Sequence, residues 1–189
     1  MGETDRWHML AMQALFLGLC LAIIYFRLMP MQTLPPSPLE GEALLFRAIS
    51  PDLMMSLTFA WVLRRPSFAP ALLIALVFFL ADLLFMRPPG LFALLMVVAS
   101  EMMKKRAPAL AEQGFVPEWL AVAGAMVAVT LLNRVILAVL FLDYEPLGPT
   151  LVQLVTTILF YPLVVVVSHV VLGVRRRTPK EKGMMRGMA

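Results

Sequence analysis

Apolar residues run along this chain in six blocks, separated by short breaks rich in proline, glycine and charge. The blocks cover about Met9 to Met29, Ala43 to Leu63, Ser67 to Met86, Pro89 to Met103, Trp119 to Leu142 and Leu147 to Gly173. A helix crossing a bilayer needs about 20 apolar residues. Five blocks reach that length and the fourth is short. The breaks "RRPSFAP" and "MRPPG" read as helix stops, because proline cannot continue a helix and glycine supplies turn geometry. The pattern predicts an all-α integral membrane protein with six transmembrane helices in one domain, residues 1–177. A basic tail, 178–189, follows it. The first block is too long for the core of a signal peptide, and "RLMPMQTLPPSP" offers no A-x-A cleavage site, so it is kept as a span. The segment from Pro30 to Glu42 holds four prolines and reads as stiff and extended. The break "KKRAPALAEQGFVPE" reads as a short loop.

Composition agrees with a lipid solvent. Of the 189 residues 61% are hydrophobic and mean hydropathy is +0.86, whereas soluble domains sit near 45–50% apolar. The net charge of +4 gains meaning only by position. With the N-terminus inside, Arg6, Arg64, Arg65, Lys104, Lys105, Arg106, Arg175, Arg176, Arg177, Lys180, Lys182 and Arg186 all fall on the cytoplasmic side, which is twelve of the 16 bases. The outer loops hold Arg87 with Glu40, Glu42, Asp143 and Glu145. The positive-inside rule therefore places both termini in the cytoplasm. The tail can lie on anionic membrane lipids. The bases form no nucleic-acid-binding motif, so no nucleic-acid partner is expected.

Charges within the spans are the candidate functional residues, because lipid does not solvate them. Arg47, Asp52, Asp82 and Arg134 are expected near one depth in the outer half, where two bases and two acids can neutralise each other. Asn133 joins this cluster, since Thr130, Asn133 and Arg134 share about a third of the helical wheel. Fixing helix register through ion pairs is preferred here over a ligand site or a partner-facing site. Segment six carries Gln153, Thr156, Thr157, Tyr161 and Ser168 on one expected interior face. Pro51 and Pro162 are expected to kink segments two and six, each freeing a backbone carbonyl. At the cytoplasmic end, Glu101 and His169 either pair or reach water separately, the latter preferred. Small residues, Ala14, Gly18 and Ala22 in the first segment and Ala121 and Ala125 in the fifth, suggest helix packing contacts. Cys20 has no second cysteine and reads as a buried small residue.

Catalytic chemistry finds little support. The chain lacks G-x-S-x-G and H-E-x-x-H. Asp52 and Asp82 could suggest a proton-sharing dyad, but "LADL" lacks the glycines such a site needs, and nearby arginines would keep both acids ionised. His8 and His169 make a poor metal site. The chain is read as a non-enzyme with no cofactor and no metal.

The stretch "PDLMMSLTFAWVLRRP" followed by "ALLIALVFFLADLLFMRPPGLFALLMVVASEMMKKR" resembles the rod-shape-determining protein MreD family. The likeness lies in "PDL" opening the second span, Trp61 before "RRP", Asp82 late in the third span, "PPGL", and a basic stop after the fourth. It is most specific from Pro51 to Arg106. One departure is Phe78, where a glycine four residues before the aspartate is frequent. The resemblance implies a bacterial inner-membrane, multi-pass, non-catalytic scaffold of the cell-wall elongation machinery (the elongasome). Such proteins help to maintain rod cell shape during peptidoglycan synthesis. It implies binding to the MreC transmembrane helix, and indirectly to MreB filaments and RodA with its penicillin-binding transpeptidase. It also implies a fold similar to the S components of energy-coupling-factor transporters. The alternative it leaves open is a substrate-binding subunit of a vitamin or small-molecule transporter.

Overall fold

A computed structural model describes residues 3–29, 50–141 and 147–170. Among these, every regular element is an α-helix: α1 (Glu3–Leu28), α2 (Leu53–Arg64), α3 (Ala71–Leu84), α4 (Leu91–Gln113), α5 (Phe115–Val139) and α6 (Leu147–Val170). Arg47, the Pro30 to Glu42 segment and the basic tail lie outside the described residues.

Three helices, α1, α5 and α6, are long and apolar enough to cross a membrane, so the chain is read as a membrane protein. The others differ from the block pattern in instructive ways. The helix of segment two begins only at Leu53, and its 12 residues measure about 18 Å at the helical rise. Pro51 does not kink it. Pro51 precedes the N-cap residue Asp52, where no intrahelical bond is lost. In contrast, the fourth helix overruns its apolar block. It continues through "KKRAPALAEQ" to Gln113, carrying Pro108 inside it, so the expected loop is largely helix. Gly114, with φ of 94°, ends α4 and starts α5 in a conformation that an L side chain rarely adopts.

Helix α2 is the centre of the bundle. All its residues from Met54 to Arg64 are buried, as expected of a helix apolar on every side. It packs against α1, α4 and α6, while α3 packs mainly on α4, and α4 on α5. Trp61 is fully buried, its ring 5.4 Å from that of Phe16 and 6.3 Å from that of Phe68. Such aromatic pairs add about 0.5–1.5 kcal/mol beyond area burial. Helix α1 contributes Phe16, Cys20 and Ile24 to the core, a strict four-residue stripe. Its small residues Ala14, Gly18 and Ala22 lie on the opposite face, which is exposed and not turned to the core helices. At the start of α1, Gln13 donates to the Ser67 carbonyl at 2.9 Å, and His8 lies 6.0 Å from Phe68. At its end Arg27 approaches Asp52. Helix α1 is therefore antiparallel to α2.

Candidate functional site

The polar groups expected to form one outer cluster separate into distinct contacts, and those contacts sit at helix ends. Asp52 is the N-cap of α2. Its Oδ1 accepts from the Met55 N–H at 3.1 Å, satisfying one of the donors that a helix start leaves open. Its own N–H donates to Thr157 Oγ1 at 2.8 Å, and the Thr157 hydroxyl donates in turn to the Gln153 carbonyl at 2.6 Å. Arg27, not Arg134, supplies the nearby positive charge, with Nη1 3.8 Å from Oδ2. That is ion-pair range but too long for a hydrogen bond.

Arg134 donates to Thr150 Oγ1 at 3.3 Å. Thr150 and Thr157 are seven residues apart on α6, about 10 Å along its axis. Arg134 and Asp52 therefore do not share a depth as the block pattern suggested. Asn133 is half-buried beside Arg134 on α5.

Asp82 makes a different use of the same chemistry. It is fully buried near the end of α3, and its Oδ2 accepts from the N–H groups of Gly90, at 3.2 Å, and Ala93, at 3.1 Å. Those are the N-cap and first-turn donors of α4, whose own N-cap has no side chain to offer. Asp82 thus caps the next helix from across the "MRPPG" turn. Gly90 has φ of 85°, which lets the turn close tightly enough to aim its N–H at the carboxylate. Arg87 brings positive charge to the same turn. Its guanidinium lies 5.7 Å from the Phe85 ring centre and 5.2 Å from that of Phe92. Phe78 meets Phe92 in a tilted contact at 5.9 Å, so the residue standing where glycine is frequent in the resembled family packs against the helix start that Asp82 caps.

The most deeply buried ion pair among the described residues was not singled out from the sequence. Arg64, in the last turn of α2, meets Glu118, in the first turn of α5, with Nη1 2.9 Å from Oε1. The side chains are 7% and 0% exposed, so both charges are withdrawn from water and lipid headgroups. Tyr161 Oη donates to the same carboxylate oxygen at 3.0 Å. Arg64 does not anchor α2 by reaching outward. Its guanidinium turns back along the helix and also donates to the Ala60 carbonyl at 3.3 Å. The signal was present: the end of segment two and the start of segment five fall at the same side of the predicted topology, and Tyr161 lies on the expected interior face of segment six.

One residue on, Trp119 Nε1 donates to the Ile158 carbonyl at 3.0 Å. Ile158 is four residues before Pro162, so its carbonyl is the one that Pro162 leaves without an intrahelical donor. A neighbouring helix thus satisfies the group that the proline frees, as proline in membrane helices requires. Glu118 and Trp119 together bind α5 to α6 at two adjacent points.

Glu101 pairs with Lys104 on its own helix, Nζ to Oε1 2.7 Å, while His169 is exposed; the two do not pair with each other. Cys20 is buried. Among the described residues no three His, Cys, Asp or Glu side chains gather as a metal-holding group. Comparison with protein-family models, curated proteins and solved structures found no match.

Proposed function

We propose that this protein is a non-catalytic scaffold of the bacterial cell-wall elongation machinery, similar to the MreD family. In that reading it has six spans and cytoplasmic termini, lies in the inner membrane and binds the transmembrane helix of MreC. One observation carries the reading. The residues that bear the sequence resemblance are those that fix the helical frame. "PDL" caps α2 through Asp52, "RRP" supplies Arg64 to the buried ion pair, and Asp82 with "PPG" caps α4. Carboxylates committed to helix ends suit a rigid platform better than proton-transfer chemistry. The test is co-purification with MreC from membranes in mild detergent. A complex that survives purification is expected, and failure of the two proteins to co-purify counts against the scaffold.

The transporter-subunit reading draws on one feature, the exposed Ala14, Gly18 and Ala22 stripe of α1, where a coupling subunit could approach closely. In that case the purified protein would gain thermal stability from a vitamin or related small molecule.

A further inference from the structure

The bundle's outward apolar surface has two very different heights. On α5 the exposed face stays apolar from Phe115 to Val139, about 36 Å at the helical rise. On α1, beyond the exposed His8, it stays so from Leu10 to Leu28, about 27 Å. The α5 face exceeds the hydrocarbon thickness of about 30 Å and the α1 face comes close to it. The α3–α4 side does not reach it. Helix α3 has 14 residues, about 21 Å, and its flanks carry Arg65 and Arg87. On α4 the outward stripe runs Leu94, Val98, Met102 in steps of four, and the next step is Arg106, with Lys105 beside it. Both bases are exposed. From Leu91 to Lys105 is again about 21 Å.

The discontinuity falls within one hairpin. Around Gly114 the two helices run antiparallel, so Gly124, on the exposed apolar face of α5, stands at the level of Lys104 and its exposed neighbours Lys105 and Arg106 on α4. A flat bilayer of ordinary thickness cannot suit both faces. Short apolar faces are accommodated by thinning of the bilayer, by snorkelling of flanking side chains or by association with protein. The composition of this face favours lipid. Close helix association in membranes selects small residues, yet the exposed positions here are Leu72, Leu76, Leu83, Leu94, Val98 and Met102.

We infer that the α3–α4 side faces a locally thinned bilayer, with acidic phospholipid headgroups drawn down to Lys105 and Arg106. The phosphates of such lipids match the two guanidinium and ammonium groups in charge. The inner leaflet then dips along one flank of the protein while it keeps its full height along α5. This rests on the membrane-spanning placement and not on the scaffold role.

Spin labels test it on the full-length protein in long-chain phosphatidylcholine vesicles containing phosphatidylglycerol, in a Cys20→Ala background. One label is placed at Met102→Cys and one at Gly124→Cys, where an added side chain meets nothing within 4 Å. Accessibility to a water-soluble nickel reagent and to oxygen reports depth. The expected result is several-fold greater nickel access at Met102 than at Gly124, and oxygen access in the reverse order. The variant Lys105→Gln with Arg106→Gln, checked for unchanged helicity, should move the Met102 label toward the oxygen-accessible value. Equal hydrocarbon signatures at both labels would overturn the inference, because they mean that the bases snorkel through a bilayer of normal height. A Met102 label shielded from both reagents would also overturn it, because protein then covers that face.

Discussion

At its N-terminal end α2 meets a carboxylate, Asp52, and in its last turn it carries a guanidinium, Arg64. Each sign complements the helix dipole at its own end, yet the two are held by different means. Asp52 bonds to its own helix three residues on, and its ionic partner Arg27 is distant at 3.8 Å and 27% exposed. Arg64 relies on a carboxylate 54 residues away, at 2.9 Å and fully enclosed. The first arrangement is local and tolerant. The second is a tertiary contact whose loss strands a charge. The comparison teaches that helix-end chemistry of equal appearance in the sequence can differ severalfold in consequence, according to how far each side chain is withdrawn from solvent.

The sharpest way to break this contrast is Glu118→Ala. It leaves Arg64 buried without its carboxylate and should cost about 3–5 kcal/mol. The expected readout is a large fall in thermal stability and folded yield in detergent, and Arg64→Met with Glu118→Leu should recover most of it. Asp82→Ala comes next. It unmakes two charge-assisted bonds to the start of α4 and should cost about 1–3 kcal/mol, with Asp82→Asn milder because one acceptor oxygen remains. Trp119→Phe should cost about 1–2 kcal/mol by orphaning the Ile158 carbonyl. Adding Pro162→Ala restores an N–H to that carbonyl, so the double variant should unfold nearer the wild-type temperature than Trp119→Phe alone. At the Asp52 end, Asp52→Ala should cost only about 1 kcal/mol, as an N-cap does. Combined with Arg134→Ala it should be additive, because the Thr157 and Thr150 contacts of the two lie about 10 Å apart along α6. Arg27→Ala, acting on a long and partly exposed pair, should change stability by under about 1 kcal/mol. A larger loss there would erase the distinction between the two ends.

The helical character of the chain and the lipid-compatible length of α1, α5 and α6 were legible because apolar runs report burial in lipid directly. Pro162 was legible for the same local reason, since a proline inside an apolar run removes a specific bond. The start of α2 was misplaced because the apolar block continues upstream of Pro51, and hydropathy does not register a cap. The end of α4 was misplaced because charge was taken to end the helix. Apart from Pro108, "KKRAPALAEQ" consists of good helix formers, and Gly114 stops it. The Asp52–Arg134 match failed for another reason. Equal distances from the ends of apolar blocks do not give equal depth when one helix starts ten residues later than its block. The Arg64–Glu118–Tyr161 contact joins three segments far apart in sequence, so its signal lay only in the topology that puts Arg64 and Glu118 on one side.

Biosynthesis meets the buried pair in a fixed order. A chain emerging from the ribosome delivers Arg64 to the membrane 54 residues before Glu118. Until α5 arrives, α2 is a segment of about 18 Å that ends in a charge without its counter-ion. The contact that encloses Arg64 can form only once α5 has been made. A nascent chain halted after Gln113 should remain held by the insertion machinery, and one that reaches past Tyr161 should be released into the bilayer.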